Sequence, residues 1–136
     1  MGQWADVMAA MHSPAKTFEQ FVAAINRHDV DALAALMNPN HCFVDSLGNQ
    51  VWGAATMQAG WRGYFAMCPD YRIHIRDVAT KDATVLAAGE AGGTIDGVSW
   101  HIPVALKAVI GDGLVLEWQV FADNKPIYEI LARRKG

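Results

Sequence analysis

Apolar positions recur in helical steps along the first half of the chain and alternate in strand fashion along the second. Trp4, Val7, Met8 and Met11 repeat at helical spacing and predict a short amphipathic segment. Ser13-Pro14 then predicts a helix start, because serine caps well and proline fits the first helical position. Phe18, Phe21, Val22 and Ile25 continue it as one apolar stripe. Asn26-Arg27-His28-Asp29 breaks the period. Asp29 can cap a second, short helix whose apolar side is Val30, Leu33, Leu36 and Met37. Asn38-Pro39-Asn40 ends that helix, since a residue before proline disfavours the helical region.

A short strand is predicted from His41 to Asp45, followed by turn-like Ser46-Leu47-Gly48-Asn49-Gln50. Helical spacing returns from Gly53 to Cys68, with Met57, Gly60, Trp61, Tyr64 and Phe65 on one side, and Pro69 stops it. Strands fill the rest. Tyr71, Ile73 and Ile75 alternate with Arg72, His74 and Arg76. Thr84 to Thr94, Ser99 to Ile110 and Leu114 to Ala122 follow, joined by Asp96-Gly97 and Gly111-Asp112-Gly113 turns. Pro126 to Leu131 adds a closing segment. Helices first and an antiparallel meander after predict an α+β fold.

The 136 residues are 52% hydrophobic and 18% charged, which suits a globular chain with one core. No repeat, low-complexity tract or linker divides it. A single domain over 1–136 is predicted, with 1–13 as an N-terminal extension or short helix. No apolar run reaches the about 20 residues a membrane helix needs. Met1 to Asp6 lack a basic start with an apolar core, so no secretory signal is predicted. A net charge of −3, with one short basic cluster at Arg133-Arg134-Lys135, argues against nucleic acid. Cys42 and Cys68 have no metal-ligand spacing and predict buried, reduced thiols in a cytoplasmic protein. The five histidines show no ligand spacing, and no phosphate loop, dinucleotide fingerprint or serine elbow is present, so neither metal nor cofactor is predicted.

Three phrases carry a resemblance over about Pro14 to Arg133. They are Phe21 to Asp29, Phe43-Val44-Asp45-Ser46-Leu47-Gly48, and Glu117 to Asp123. In this order they resemble the nuclear-transport-factor-2-like (NTF2-like) superfamily, in particular its SnoaL-like branch. The resemblance implies a cone: a curved antiparallel sheet wrapped around N-terminal helices, with an internal apolar pocket and often a homodimer. It implies that Asp45 looks into the pocket. It does not fix a reaction, because this fold hosts many chemistries.

Matching to ketosteroid isomerase, a member of that superfamily, puts Phe21 at its oxyanion tyrosine and Ala105 at its second aspartate. Both donors are missing, which argues against steroid isomerisation. The limonene epoxide hydrolase arrangement needs an arginine and acids that the strand Ser99 to Ile110 lacks. SnoaL-like polyketide cyclases, which need an acid in an apolar pocket and no cofactor, fit best. Asp45, Asp123 or Glu90 would supply the acid.

Desolvated among Phe43, Val44 and Leu47, Asp45 would have a raised pKa and act as a general acid or base. As a solvated turn residue it would only cap Ser46-Leu47-Gly48. His101 shares its strand parity with Pro103 and Ala105, so it faces the pocket if Ala105 does. The other face, Trp100, Ile102, Val104 and Leu106, has the character of core, which would leave His101 at a surface or interface. Trp61 and Trp118 would line a site for a flat hydrophobic ligand, or pack as core. Phe43 and Val120 complete the implied pocket with Ala105 and Phe21; Phe21, Tyr64 and Phe65 also suit core. Asp123-Asn124 before Lys125-Pro126 is ordinary turn chemistry, with Asp123 a secondary acid. The implied activity is a cofactor-free isomerase, cyclase or dehydratase acting on a small hydrophobic compound. The alternatives are a non-catalytic binding protein and a dimeric interaction module.

Overall fold

A computed structural model of the chain describes residue 3 and residues 13–135; the amphipathic segment Trp4 to Met11 lies outside them. Helix α1 spans Pro14–Arg27, capped by the Ser13 side chain, which accepts from the Lys16 N–H at 3.3 Å. It buries Phe18, Phe21, Ala24 and Ile25. His28 ends it in the left-handed region at φ 57°, and its Nε2–H donates to the Tyr71 carbonyl at 2.8 Å. Helix α2, Val30–Ala35, is capped by Asp29, which accepts from Ala32 N–H at 3.0 Å.

Strand β1 spans Met37–Val44 and starts earlier than its sequence predicts. Pro39 is tolerated there because the ladder to its neighbour is interrupted between Met37 and Cys42. Strand β2, Gln50–Trp52, falls where only a turn is predicted, and it is too short to show a period. Helix α3 is Ala54–Met67. Four long strands follow: β3 Arg72–Lys81, β4 Thr84–Ile95, β5 Val98–Gly111 and β6 Leu114–Phe121. The closing segment is helix α4, Lys125–Ala132, ending in the 3-10 turn Arg133–Lys135. None of the described helices is long and apolar enough to cross a membrane.

The six strands form one sheet in the order β2-β1-β6-β5-β4-β3. All pairings are antiparallel except β1 with β6, which run parallel, as the long connection through β2, α3 and three long strands allows. The helices pack on one face. The β5 residues Trp100, Ile102, Val104 and Leu106 point into that face and are buried. A bulge between Ile75 and Asp77 bends β3 opposite Gly89, where a Cβ would run into the His74 carbonyl. Cys42 and Cys68 are both buried and unpaired.

Candidate functional site

Between the helices and the concave sheet face lies a cavity of about 410 Å³. Its floor is Trp118, whose ring packs on Phe21 at 4.6 Å and Phe18 at 5.5 Å between centroids. Trp61 and Tyr64 project from one side of α3, because positions three apart share a helix face. The sheet wall is Trp100, Ile102, Val104 and Leu106 from β5, with Val120 from β6 and Ala122 just after it. The polar side chains of the wall are few: Asp45, Ser46, Thr56, Tyr64, Tyr71 and Asn124. The described lining residues include no lysine, arginine or histidine.

Asp45 follows β1 directly and sits on the wall beside Ser46 and Asn124. Ser46 Oγ accepts from Asn124 Nδ2 at 2.7 Å, which ties the β1–β2 turn to the start of α4. The Asp45 carboxylate accepts from Leu47 N–H and Asn49 N–H, both at 2.9 Å, and from Asn49 Nδ2 at 3.1 Å. Desolvation pushes its pKa up, but the donors of Asn49, Leu47 and Gly48 outweigh that push. The net shift is below the ordinary aspartate value, and the group is an ionised acceptor at neutral pH. Among the described residues no cluster of histidine, cysteine and acidic side chains could hold a metal ion.

A family model for the SnoaL-like domain matches residues 18–122. The chain belongs to the SnoaL-like domain family. None of the curated proteins matches this SnoaL-like chain in sequence. Solved structures share its fold. An LEH-like epoxide hydrolase from M. tuberculosis is 17% identical, with 88% of this chain and 90% of that one covered and a TM-score of 0.77. A candidate SnoaL-like polyketide cyclase from Jannaschia sp. CCS1 is 17% identical over 85% of this chain and 88% of that one, at a TM-score of 0.77. A protein with a ketosteroid isomerase-like fold from Catenulispora acidiphila DSM 44928, in complex with trimethylamine, is 18% identical over 78% and 84%, at 0.72. The architecture is the NTF2-like one, a curved and mostly antiparallel sheet around N-terminal helices.

Of the residues singled out from the SnoaL-like chain's sequence, Asp45, Phe43, Trp61, Trp118 and Val120 line the cavity. Phe21 does not; it is fully buried under Trp118, as its place on the α1 stripe requires. Ala105 is on the outer sheet face, paired with Ala88 and Phe121. The register that would turn it inward is excluded because the bulky apolar residues of β5 have the opposite parity. His101 follows Ala105 outward. Its side chain is 65% exposed and its Nε2–H donates to Glu90 at 2.8 Å. Glu90 also pairs with Arg76 on that outer face, so it supplies no acid to the cavity. Asp123 is exposed and accepts from Lys125 N–H at 3.0 Å, as a turn residue at the start of α4. Sequence reasoning missed Tyr71, Trp100, Ser46 and Asn124 as lining residues, and assigned Tyr64 to core. The parity of β5 was the signal that finds Trp100. Tyr71 carried the same kind of signal, since it shares its parity with Ile73, which also lines the cavity, although it sits just before β3 rather than in it.

Proposed function

We propose that the protein binds a small, flat, largely apolar compound in its cavity. The observation that carries this is a void of about 410 Å³ walled by three tryptophans and aliphatic side chains, with a single carboxylate among its described lining residues. Ligand sites run from roughly 300 to 1,000 Å³ and are mostly apolar with a few placed polar groups. Asp45 would accept a hydrogen bond from a hydroxyl on the ligand, since an ionised carboxylate accepts only. Titration with 9-fluorenone, followed by tryptophan emission, tests the reading. Saturable binding at one site per chain is expected, and Ala122→Trp, which fills the cavity, should abolish it. Binding that never saturates, or that survives in the filled variant, would sink it.

A proton-transfer enzyme is the second reading. It is supported by Asp45 being the one carboxylate among the described residues of the cavity wall. Isomerisation, cyclisation, hydration or dehydration of a small hydrophobic compound would use Asp45 as the base. With its pKa held low, Asp45 would be a weak base, which is why binding stands first. Turnover that persists in a folded Asp45→Asn variant would exclude this role. A homodimer is supported by the apolar stripe on the outer face, where Leu86 and Phe121 are 51% and 48% exposed beside Ala88 and Ala105. A monomeric mass by equilibrium sedimentation would count against it.

A further inference from the structure

Two phenols meet at the side of the cavity away from Asp45. Tyr64 projects from α3, and Tyr71 comes from the loop that leads into β3. Asp45 follows β1, near the opposite edge of the sheet. The two tyrosine rings pack edge to face, with centroids 4.9 Å apart at 86°. Tyr71 is stacked on Trp100 at 5.9 Å, and Tyr64 meets Trp61 edge-on at 6.5 Å. Both rings are therefore fixed by neighbours that also line the cavity.

Their oxygens are not used by the fold. Tyr71 bonds to His28 through its backbone carbonyl. Among the described residues, neither phenol oxygen has a hydrogen-bond partner in the protein, and neither is among the sealed polar atoms. Those are His41 Nε2, one Glu117 oxygen and the indole nitrogens of Trp61, Trp100 and Trp118. A tyrosine hydroxyl in apolar surroundings usually finds a partner. Two such tyrosines on one mostly apolar cavity wall can both donate to the same bound acceptor. Burial pushes both phenols above their ordinary range, and Tyr64 adds to the push on Tyr71, so both stay protonated donors.

Resting on the reading that the cavity binds a flat apolar compound, we propose that Tyr64 and Tyr71 form its hydrogen-bonding end and select ligands that carry a neutral acceptor oxygen, above all a ketone. An anionic head is disfavoured. The described lining residues offer no cation to pair with it, and Asp45 already places one negative charge on the wall. A ligand that satisfies both ends has a carbonyl at the tyrosines and a hydroxyl near Asp45, the pattern of a hydroxylated aryl ketone.

The test compares 9-fluorenone with fluorene, which has nearly the same shape and lacks the carbonyl. Dissociation constants are measured by equilibrium dialysis on the wild type and on the Tyr64→Phe/Tyr71→Phe variant, with thermal melting to confirm that the variant folds. The wild type should bind fluorenone about tenfold more tightly than fluorene, the size of one net hydrogen bond. In the double variant that ratio should fall close to one, while fluorene binds as before. Equal binding of the two compounds by the wild type, or an unchanged preference in the variant, overturns the proposal and leaves the cavity reading standing. Binding of neither compound overturns both. Should the double variant unfold, Tyr71→Phe alone is read in the same way.

Discussion

Asp45 and Asn49 hold each other across the turn that closes β1. The Asn49 N–H donates to the Asp45 carboxylate at 2.9 Å and its Nδ2 at 3.1 Å, while the Asp45 N–H donates to the Asn49 carbonyl at 3.0 Å. The turn thus holds the Asp45 carboxyl below its ordinary value against the upward push of desolvation. Carboxyl-carbon NMR titration should place the Asp45 pKa below the ordinary 3.8, and Asn49→Ala should raise it. Because the folded value is depressed, the stabilisation from this group is present above the unfolded value and is lost as pH falls through the folded one. An Asp45 pKa above 6 in the free protein would contradict this and favour the proton-transfer enzyme.

His41 predicts a second pH effect of similar sign at higher pH. It is fully buried, and its Nδ1–H donates to the Val115 carbonyl at 2.9 Å. Nε2 is then a bare lone pair with no partner among the described residues. Desolvation pushes the pKa below the ordinary 6.5, only partly offset by the Val115 bond. The folded state therefore holds His41 neutral. Its contribution is whole above pH 6.5 and is lost as pH falls below that value. Urea midpoints should drop between pH 7.5 and pH 5.5, and the drop should be smaller in His41→Gln. An equal drop in both proteins would assign the effect elsewhere.

Phe21 supports the cavity without touching the ligand space. It is fully buried against Trp118, and ring truncation at such a site costs about 3–5 kcal/mol. Phe21→Ala should lose stability of that order in urea unfolding, whereas Phe21→Leu should lose less and keep the cavity.

His101 marks the opposite face. Its ring is 65% exposed on Glu90 and lies outside the cavity lining. His101→Ala should leave fluorenone affinity unchanged and shift stability by no more than about 0.5 kcal/mol. A clear loss of ligand affinity would reconnect this face to the site.

The helices were legible in the sequence because caps and apolar stripes act locally. Ser13, Asp29 and the Phe18-Phe21-Ile25 row suffice to bound α1 and start α2. The long strands were legible from alternation and from the Asp96-Gly97 turn. Strand β2 was not, since three exposed residues show no period and pair only because β1 lies beside them. Strand facing decided the site. Alternation in β5 allowed either face inward, and the weight of Trp100, Ile102, Val104 and Leu106 settled it against Ala105 and His101. Asp45 lies on the wall, and its environment depends on Asn49 folding back onto it, a contact fixed by the turn rather than by apolar neighbours. The Tyr64–Tyr71 pair joins a helix to a loop, and residue spacing carries no trace of it.

The most direct test follows the indole N–H resonances in a proton–nitrogen correlation spectrum while 9-fluorenone is added. Trp61, Trp100 and Trp118 line the cavity, whereas Trp52 is 61% exposed on β2. Occupation of the cavity predicts saturable shifts at the first three and little change at Trp52. Shifts confined to Trp52, or none at all, would contradict a ligand-binding cavity.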